Sequence, residues 1–132
     1  MRLSLALVFA FSSLSAQAAE APYLFDVLQK PVYRSAWEKL IKLVQPTPDW
    51  LLQFAKNFDG ASGQMTSLAV EGKPYELYYV CKPGDCEAHR FEIIFDADKH
   101  AFGALGGKGS SPAFFGAPSP AVQDAMAKAI KG

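Results

Sequence analysis

The sequence has no excess of basic side chains, since 13 Lys and Arg are matched by 13 Asp and Glu. Proteins that bind nucleic acids usually carry a basic excess or a basic stripe, so that class is set aside. No nucleophile is paired with a histidine in a recognisable catalytic motif, and GGKGSS at 106–111 lacks the spacing of a phosphate-binding loop. These absences favour a protein that is not an enzyme and that carries no cofactor.

The sequence also lacks an apolar run of the ~20 residues that a membrane span requires. The apolar run over residues 3–14 follows the single charge of Arg2 and precedes Ala16-Gln17-Ala18, a small-residue cleavage motif. This arrangement predicts a signal peptide over residues 1–18 and one mature domain over residues 19–132. No cysteine stands directly after the cleavage point, which argues against a lipid anchor. We therefore expect a soluble periplasmic protein with no membrane partner.

Three stretches of the mature chain are predicted to be helical. Apolar residues recur at spacings of three and four from Tyr33 to Val44, which predicts an amphipathic helix with Trp37 on its buried face. Thr47-Pro48-Asp49 indicates a new helix start, with Trp50 on the inner face. Ser119-Pro120 gives the same signal before a terminal helix. Both tryptophans are expected in the core.

Residues 65–105 alternate between apolar and polar side chains with a period of two. Four strands are predicted, over MTSLAV, PYELYYVC, HRFEIIFD and residues 100–105, and an irregular fifth over 113–115. Short turns between them imply an antiparallel meander. The alternation assigns Glu92 and Asp96 to a solvated edge, and Phe114 and Phe115 to opposite faces. The expected fold class is α+β, a central antiparallel sheet of four to five strands flanked by helices.

The segment CKPGDC, residues 81–86, contains the only two cysteines in the chain and lies between two predicted strands. Pro83 and Gly84 have the chemistry of a type II turn, with Lys82 and Asp85 as its outer residues. A bond between Cys81 and Cys86 would suit an oxidising compartment. It would stabilise the fold by roughly 2 kcal/mol, because the loop is only about six residues long. Such a bond is better suited to holding an exposed tip rigid, which lowers the entropic cost of insertion into a partner.

The residues alone leave other roles for these cysteines open. A redox pair of the thioredoxin type is disfavoured because its spacing is C-x-x-C. A zinc site would have to recruit Cys81, Cys86, His89 and His100. A structural disulfide that only stiffens the hairpin is the simplest alternative.

The motif C-K-P-x-D-C resembles the loop of the inhibitor of vertebrate lysozyme (Ivy) family, whose usual form is CKPHDC. The surrounding EGKPYELYYVCKP and HRFEIIF also fit, and the resemblance is good over residues 70–105. It implies an α+β periplasmic inhibitor of c-type lysozyme, in a family that includes homodimers. It further implies a disulfide between Cys81 and Cys86, and an inhibitory loop of Cys81, Lys82, Pro83, Gly84, Asp85 and Cys86 that enters the lysozyme cleft.

One position departs from the family pattern. The residue after the loop proline is usually a histidine that meets the catalytic carboxylates of lysozyme, and here it is Gly84, which has no side-chain donor. Loss of a buried charge-assisted contact costs ~2–5 kcal/mol. Three hypotheses follow: weakened inhibition of lysozyme, binding to another peptidoglycan-cleaving enzyme such as a lytic transglycosylase, or a non-inhibitory periplasmic binding or structural domain.

Overall fold

The computed structural model describes residues 20–131, so the predicted signal peptide lies outside the described residues. Within that range the chain forms helices first, then strands, then a last helix. The helices are α1 (Leu24–Val27), α2 (Pro31–Leu43), α3 (Asp49–Asn57) and α4 (Pro120–Lys131). The strands are β1 (Ala61–Ser62), β2 (Thr66–Val70), β3 (Lys73–Cys81), β4 (Arg90–Phe95), β5 (Ala101–Gly106) and β6 (Ala113–Phe115). None of the helices in the described range is long and apolar enough to cross a membrane.

Helix boundaries follow the proline signals with one shift. Helix α2 has Pro31 in its first turn, and Ser119 caps α4 through its Oγ, which accepts a hydrogen bond from the Val122 N–H at 3.3 Å. Helix α3 begins one residue later than the sequence predicts, because Pro48 is its N-cap. The Thr47 hydroxyl donates backwards to the Val44 carbonyl instead of capping α3.

The strands form one antiparallel sheet in the order β1-β3-β4-β5-β6, and β2 also pairs with β3. Strands β1 and β2 lie along the same edge of β3, β1 beside Val80 and Cys81, and β2 beside residues 73–77. The predicted α+β class with a central antiparallel sheet is confirmed. The two-residue strand β1 is an element that the sequence pattern did not predict.

Helices cover both faces of the sheet. On one face, Tyr78, Val80 and Phe91 pack against α1, α2 and α3, where Trp37 is only 2% exposed. On the other face, Leu77 and Ile94 pack against α4. Because side chains alternate across a strand, both sets of positions on β3 and β4 are buried, and the sheet has no fully solvated face over these strands.

The assignment of Glu92 to a solvated edge is wrong, because this side chain is completely buried. It lies on the sheet face that α4 covers, opposite Tyr79 and Ala104 in the strand register. The alternation of apolar and polar residues in β4 is typical of a strand that has one solvent-exposed face. The distant helix α4 supplies the second cover, and a local pattern does not reveal it.

The remaining aromatic predictions are partly correct. Trp37 is a core residue, whereas Trp50 is only partly buried and packs at the margin of the core. Phe114 and Phe115 point to opposite faces of the sheet as expected. Each is half-buried against a different core, so neither is a free aromatic contact.

Candidate functional site: a disulfide-closed hairpin tip

Residues 81–90 form the hairpin tip that connects β3 to β4. The Cys81 and Cys86 sulfurs are bonded at 2.15 Å, and the two Cα atoms are 4.8 Å apart. The predicted disulfide is therefore present. Cys81 is buried at the end of β3, and Cys86 is half-buried, so the bond lies where the tip meets the sheet.

The outer turn of the tip has the geometry that its sequence predicts. The Asp85 N–H donates to the Lys82 carbonyl at 3.0 Å, and Gly84 has a φ of 78°, the left-handed value that glycine adopts without strain. All four residues from Lys82 to Asp85 are exposed. Among residues 20–131, no atom lies within 4 Å of the position that a Gly84 Cβ would occupy. The turn therefore stands clear of the rest of the domain.

Two polar side chains of the tip contact each other. His89 Nε2 lies 3.6 Å from Asp85 Oδ2, and each side chain is about half exposed, at 50% and 49%. The tip backbone is closed below them, because the Lys82 N–H donates to the His89 carbonyl at 2.9 Å. With the exposed Lys82, the tip thus presents an ammonium, an imidazole and a carboxylate on a short closed frame.

The base of the tip is held by a partly buried ion pair. Arg90 Nε donates to Glu92 Oε1 at 2.6 Å, and the Arg90 guanidinium lies 3.8 Å from the centre of the Tyr79 ring. Glu92 Oε2 is also buried and has no partner within the described residues. Burial raises the pKa of Glu92 to about 7, although the charge and hydrogen bond of Arg90 act in the opposite direction.

A second loop supports the return segment of the tip. The Lys108 N–H donates to the Glu87 carbonyl at 2.7 Å, and Ser110 closes the loop by a hydrogen bond to the Gly107 carbonyl. A Cβ at Gly107 would lie 2.1 Å from the Ala88 carbonyl oxygen. Glycine is therefore required for this close approach. The sequence of residues 106–111 predicts only a connecting loop, and the paired glycines after β5 are the one local signal of this close approach.

The structure does not assemble the zinc site that the sequence left open. The two cysteines are bonded to each other, and His100 lies in the β4–β5 turn at the opposite end of the sheet from His89. The Asp96, Asp98 and His100 ligand atoms lie within 4.8 Å of one another there. The Asp96 carboxylate already accepts hydrogen bonds from the Asp98 and His100 N–H groups at 3.0 and 2.8 Å. This cluster is accounted for by closure of the turn.

The sequence is similar to that of a named inhibitor. The chain is 40% identical over 86 residues to the inhibitor of vertebrate lysozyme of Pseudomonas aeruginosa, an alignment that covers 65% of this chain and 54% of that protein. It is also 30% identical over 112 residues to an uncharacterised protein of Pseudomonas aeruginosa, covering 75% of this chain and 70% of that protein. The chain belongs to the inhibitor of vertebrate lysozyme (Ivy) family.

Another relative of this Ivy-family chain is an uncharacterised protein of Yersinia pestis, 31% identical over 86 residues that cover 64% of this chain and 53% of that protein. The chain spans about half the length of this relative and of the Pseudomonas aeruginosa inhibitor. No family model matches the chain. The named Ivy relative is an inhibitor and not an enzyme, which supports the prediction of a non-enzyme.

Proposed function

We propose that the chain is a periplasmic inhibitor of c-type lysozyme, and that it acts by inserting residues 81–86 into the glycosidase cleft. The observation that carries the proposal is the disulfide-closed turn with four consecutive exposed residues and open space around Gly84. The similarity to a protein named as an inhibitor of vertebrate lysozyme gives independent support for the target class.

Insertion is physically reasonable because the tip is already ordered. The disulfide closes one side, and the hydrogen bond from Lys108 to Glu87 supports the return segment. A preorganised loop loses less conformational entropy on binding than a mobile one. Association therefore keeps more of the free energy gained from contacts within the cleft.

The chemistry of the tip matches an acidic cleft. Glycosidases generally place two carboxyl groups on either side of the scissile bond. Lys82 offers an ammonium, His89 offers an imidazole, and the exposed turn offers backbone N–H groups. Charge-assisted hydrogen bonds from such donors to carboxylates are the stronger class of polar contact, and a tip in this position would also exclude the glycan substrate.

A second candidate target is another peptidoglycan-cleaving enzyme, such as a lytic transglycosylase. Gly84 favours it, because the apex of the turn is a bare backbone without the imidazole that the Ivy resemblance leads one to expect. An apex without a side chain is narrower than one that carries an imidazole. It suits a cleft whose acidic groups are arranged differently from those of lysozyme. In both cases the tip acts as an inserted plug.

The proposal is tested by titrating purified, oxidised protein against c-type lysozyme and, in parallel, against a lytic transglycosylase, with lysis of cell-wall substrate as the readout. We expect saturable, stoichiometric inhibition of lysozyme. Inhibition of the transglycosylase alone would favour the second target. Inhibition of neither enzyme, with no glycan-cleaving enzyme retained from a periplasmic extract, would contradict the proposal and favour the non-inhibitory domain.

A further inference from the structure

Two recesses flank the hairpin tip. The first, of about 560 Å³, lies between the tip and the start of α3, and is named here the α3 recess. Its lining includes Asp49 and Trp50 on the α3 side and Lys82, Ala88 and His89 on the side of the tip. The second, of about 230 Å³, lies between the tip and the end of α4, and is named the α4 recess. Its lining is Cys86, Glu87, Arg90, Lys108, Ile130 and Lys131.

The two recesses lie on opposite faces of the sheet. Helix α3 packs on the face that carries Val80 and Phe91, whereas α4 packs on the face that carries Leu77 and Ile94. The tip continues the β3–β4 hairpin beyond the ends of these two strands, between the start of α3 and the end of α4. The tip therefore projects from the domain and has one recess on each of its two faces.

We infer that the α3 and α4 recesses receive the two walls of the target cleft when the tip is inserted. The inference rests on the proposed function, because it assumes that the tip enters a cleft. An inserted hairpin tip has one cleft wall along each of its two faces. A wall can approach the tip only where the inhibitor leaves free space beside it. Each recess provides this free space on one face of the tip. The size and chemistry of the two recesses therefore determine which clefts the protein can bind.

The chemistry of the two recesses differs, which gives the bound cleft an orientation. In the α4 recess, exposed Lys108 and Lys131 outnumber Glu87, and the charge of Arg90 is already engaged with Glu92. Its surplus charge is positive, so it suits a wall that carries carboxylates. The α3 recess combines the partly exposed indole of Trp50 with Asp49, Lys82 and His89, and suits a wall with an apolar side chain among hydrogen-bonding groups.

The test changes each recess without changing residues 81–86. Lys108→Glu reverses charge in the α4 recess, and Lys73→Glu, eight residues from Cys81 along β3, is the charge-matched control. Ala88→Phe fills the α3 recess, and Ala97→Phe in the exposed β4–β5 turn is the size-matched control. Asp49→Arg, on the α3 side of the α3 recess, is a second blocking variant if Ala88→Phe folds poorly.

The dissociation constants for the glycan-cleaving enzyme inhibited by the wild type are measured by surface plasmon resonance at low and high salt. Both recess variants are expected to weaken binding at least about tenfold, and both controls to stay within about twofold. The Lys108→Glu effect alone should shrink at high salt. If the wild type binds and the folded recess variants bind equally well, the inference is overturned and the proposed function stands. If the wild type binds no such enzyme, the proposed function itself fails.

Discussion

Arg90 and Glu92 lie two positions apart on β4 and form a partly buried ion pair at 2.6 Å, at the point where the hairpin tip joins the sheet. Arg90 is the strand partner of Cys81, so the disulfide and the ion pair occupy adjacent positions at the base of the tip. Two charged side chains at this site are costly unless paired. The pair therefore links the position of the tip to the packing of α4 over the sheet.

Burial of Glu92 predicts that stability falls as the pH rises. The pKa of Glu92 is raised from 4.5 to about 7, so between these values the folded protein holds a proton that the unfolded chain has lost. The free energy of unfolding should therefore decrease over this window, by about 3 kcal/mol at most. Denaturant unfolding at pH 5, 6, 7 and 8 measures this slope.

Glu92→Gln should remove most of that slope, because glutamine does not titrate. Glu38→Gln is the matched control, since Glu38 is exposed and pairs with Arg34 on α2. The control should retain the pH dependence of the wild type. A Glu92→Gln variant with an unchanged slope would show that another group is responsible.

Gly84→His is expected to strengthen binding to c-type lysozyme. The new imidazole points into open space and can reach an acidic cleft, a contact worth ~2–5 kcal/mol when buried and paired. A side chain at a φ of 78° costs about 1–2 kcal/mol. The difference, roughly 0–4 kcal/mol, corresponds to a gain in affinity of up to about a thousandfold, measured as the inhibition constant for lysozyme.

Gly84→Ala separates the two contributions, because it carries the backbone strain without the imidazole. It should lower the stability of the tip and leave lysozyme affinity equal to or slightly below that of the wild type. Equal affinities for the histidine and alanine variants would argue that the apex of the turn does not meet carboxylates.

Gly107→Ala should weaken inhibition without any change in the tip sequence. The added Cβ would lie 2.1 Å from the Ala88 carbonyl oxygen, so the 106–111 loop or the return segment must move. We expect a loss of more than 1 kcal/mol in stability and a weaker inhibition constant. Gly109→Ala is the control, because no atom lies within 4 Å of its Cβ position and only its φ of 84° is strained. Inhibition that falls equally in both variants would argue against a supporting role for Gly107.

The local features of this fold could be predicted from the sequence. The apolar period of α2, the Ser119-Pro120 signal for α4, and the alternation of β3 to β5 depend on short-range chemistry. The turn at Pro83 and Gly84 followed from backbone preferences, and the disulfide from the family resemblance. Each of these needs only neighbouring residues or one motif.

Features that depend on distant segments could not be predicted. Glu92 was placed in solvent because nothing near it in the sequence indicates that α4, some 30 positions later, covers that face. The support that Lys108 gives to Glu87 likewise joins two loops that are separated in the chain by two strands, β4 and β5. Trp50 was assigned to the core by its helical period, whereas the position of α3 leaves it at the α3 recess.

The disulfide should matter far more for inhibition than for overall stability. Replacing both cysteines by serine removes a constraint on about six residues, worth roughly 2 kcal/mol, and leaves the two cores unchanged. The freed tip would have to be ordered on binding, at an entropic cost of about 1–2 kcal/mol per residue. The double variant should therefore remain folded and lose most of its affinity.

The central claim is tested most directly by the inhibition constant for c-type lysozyme, measured side by side for the oxidised protein and for the Cys81→Ser, Cys86→Ser double variant. We expect saturable inhibition by the oxidised protein and inhibition weaker by about a hundredfold or more for the folded double variant. Equal inhibition by both proteins, or none by the oxidised one, would contradict it.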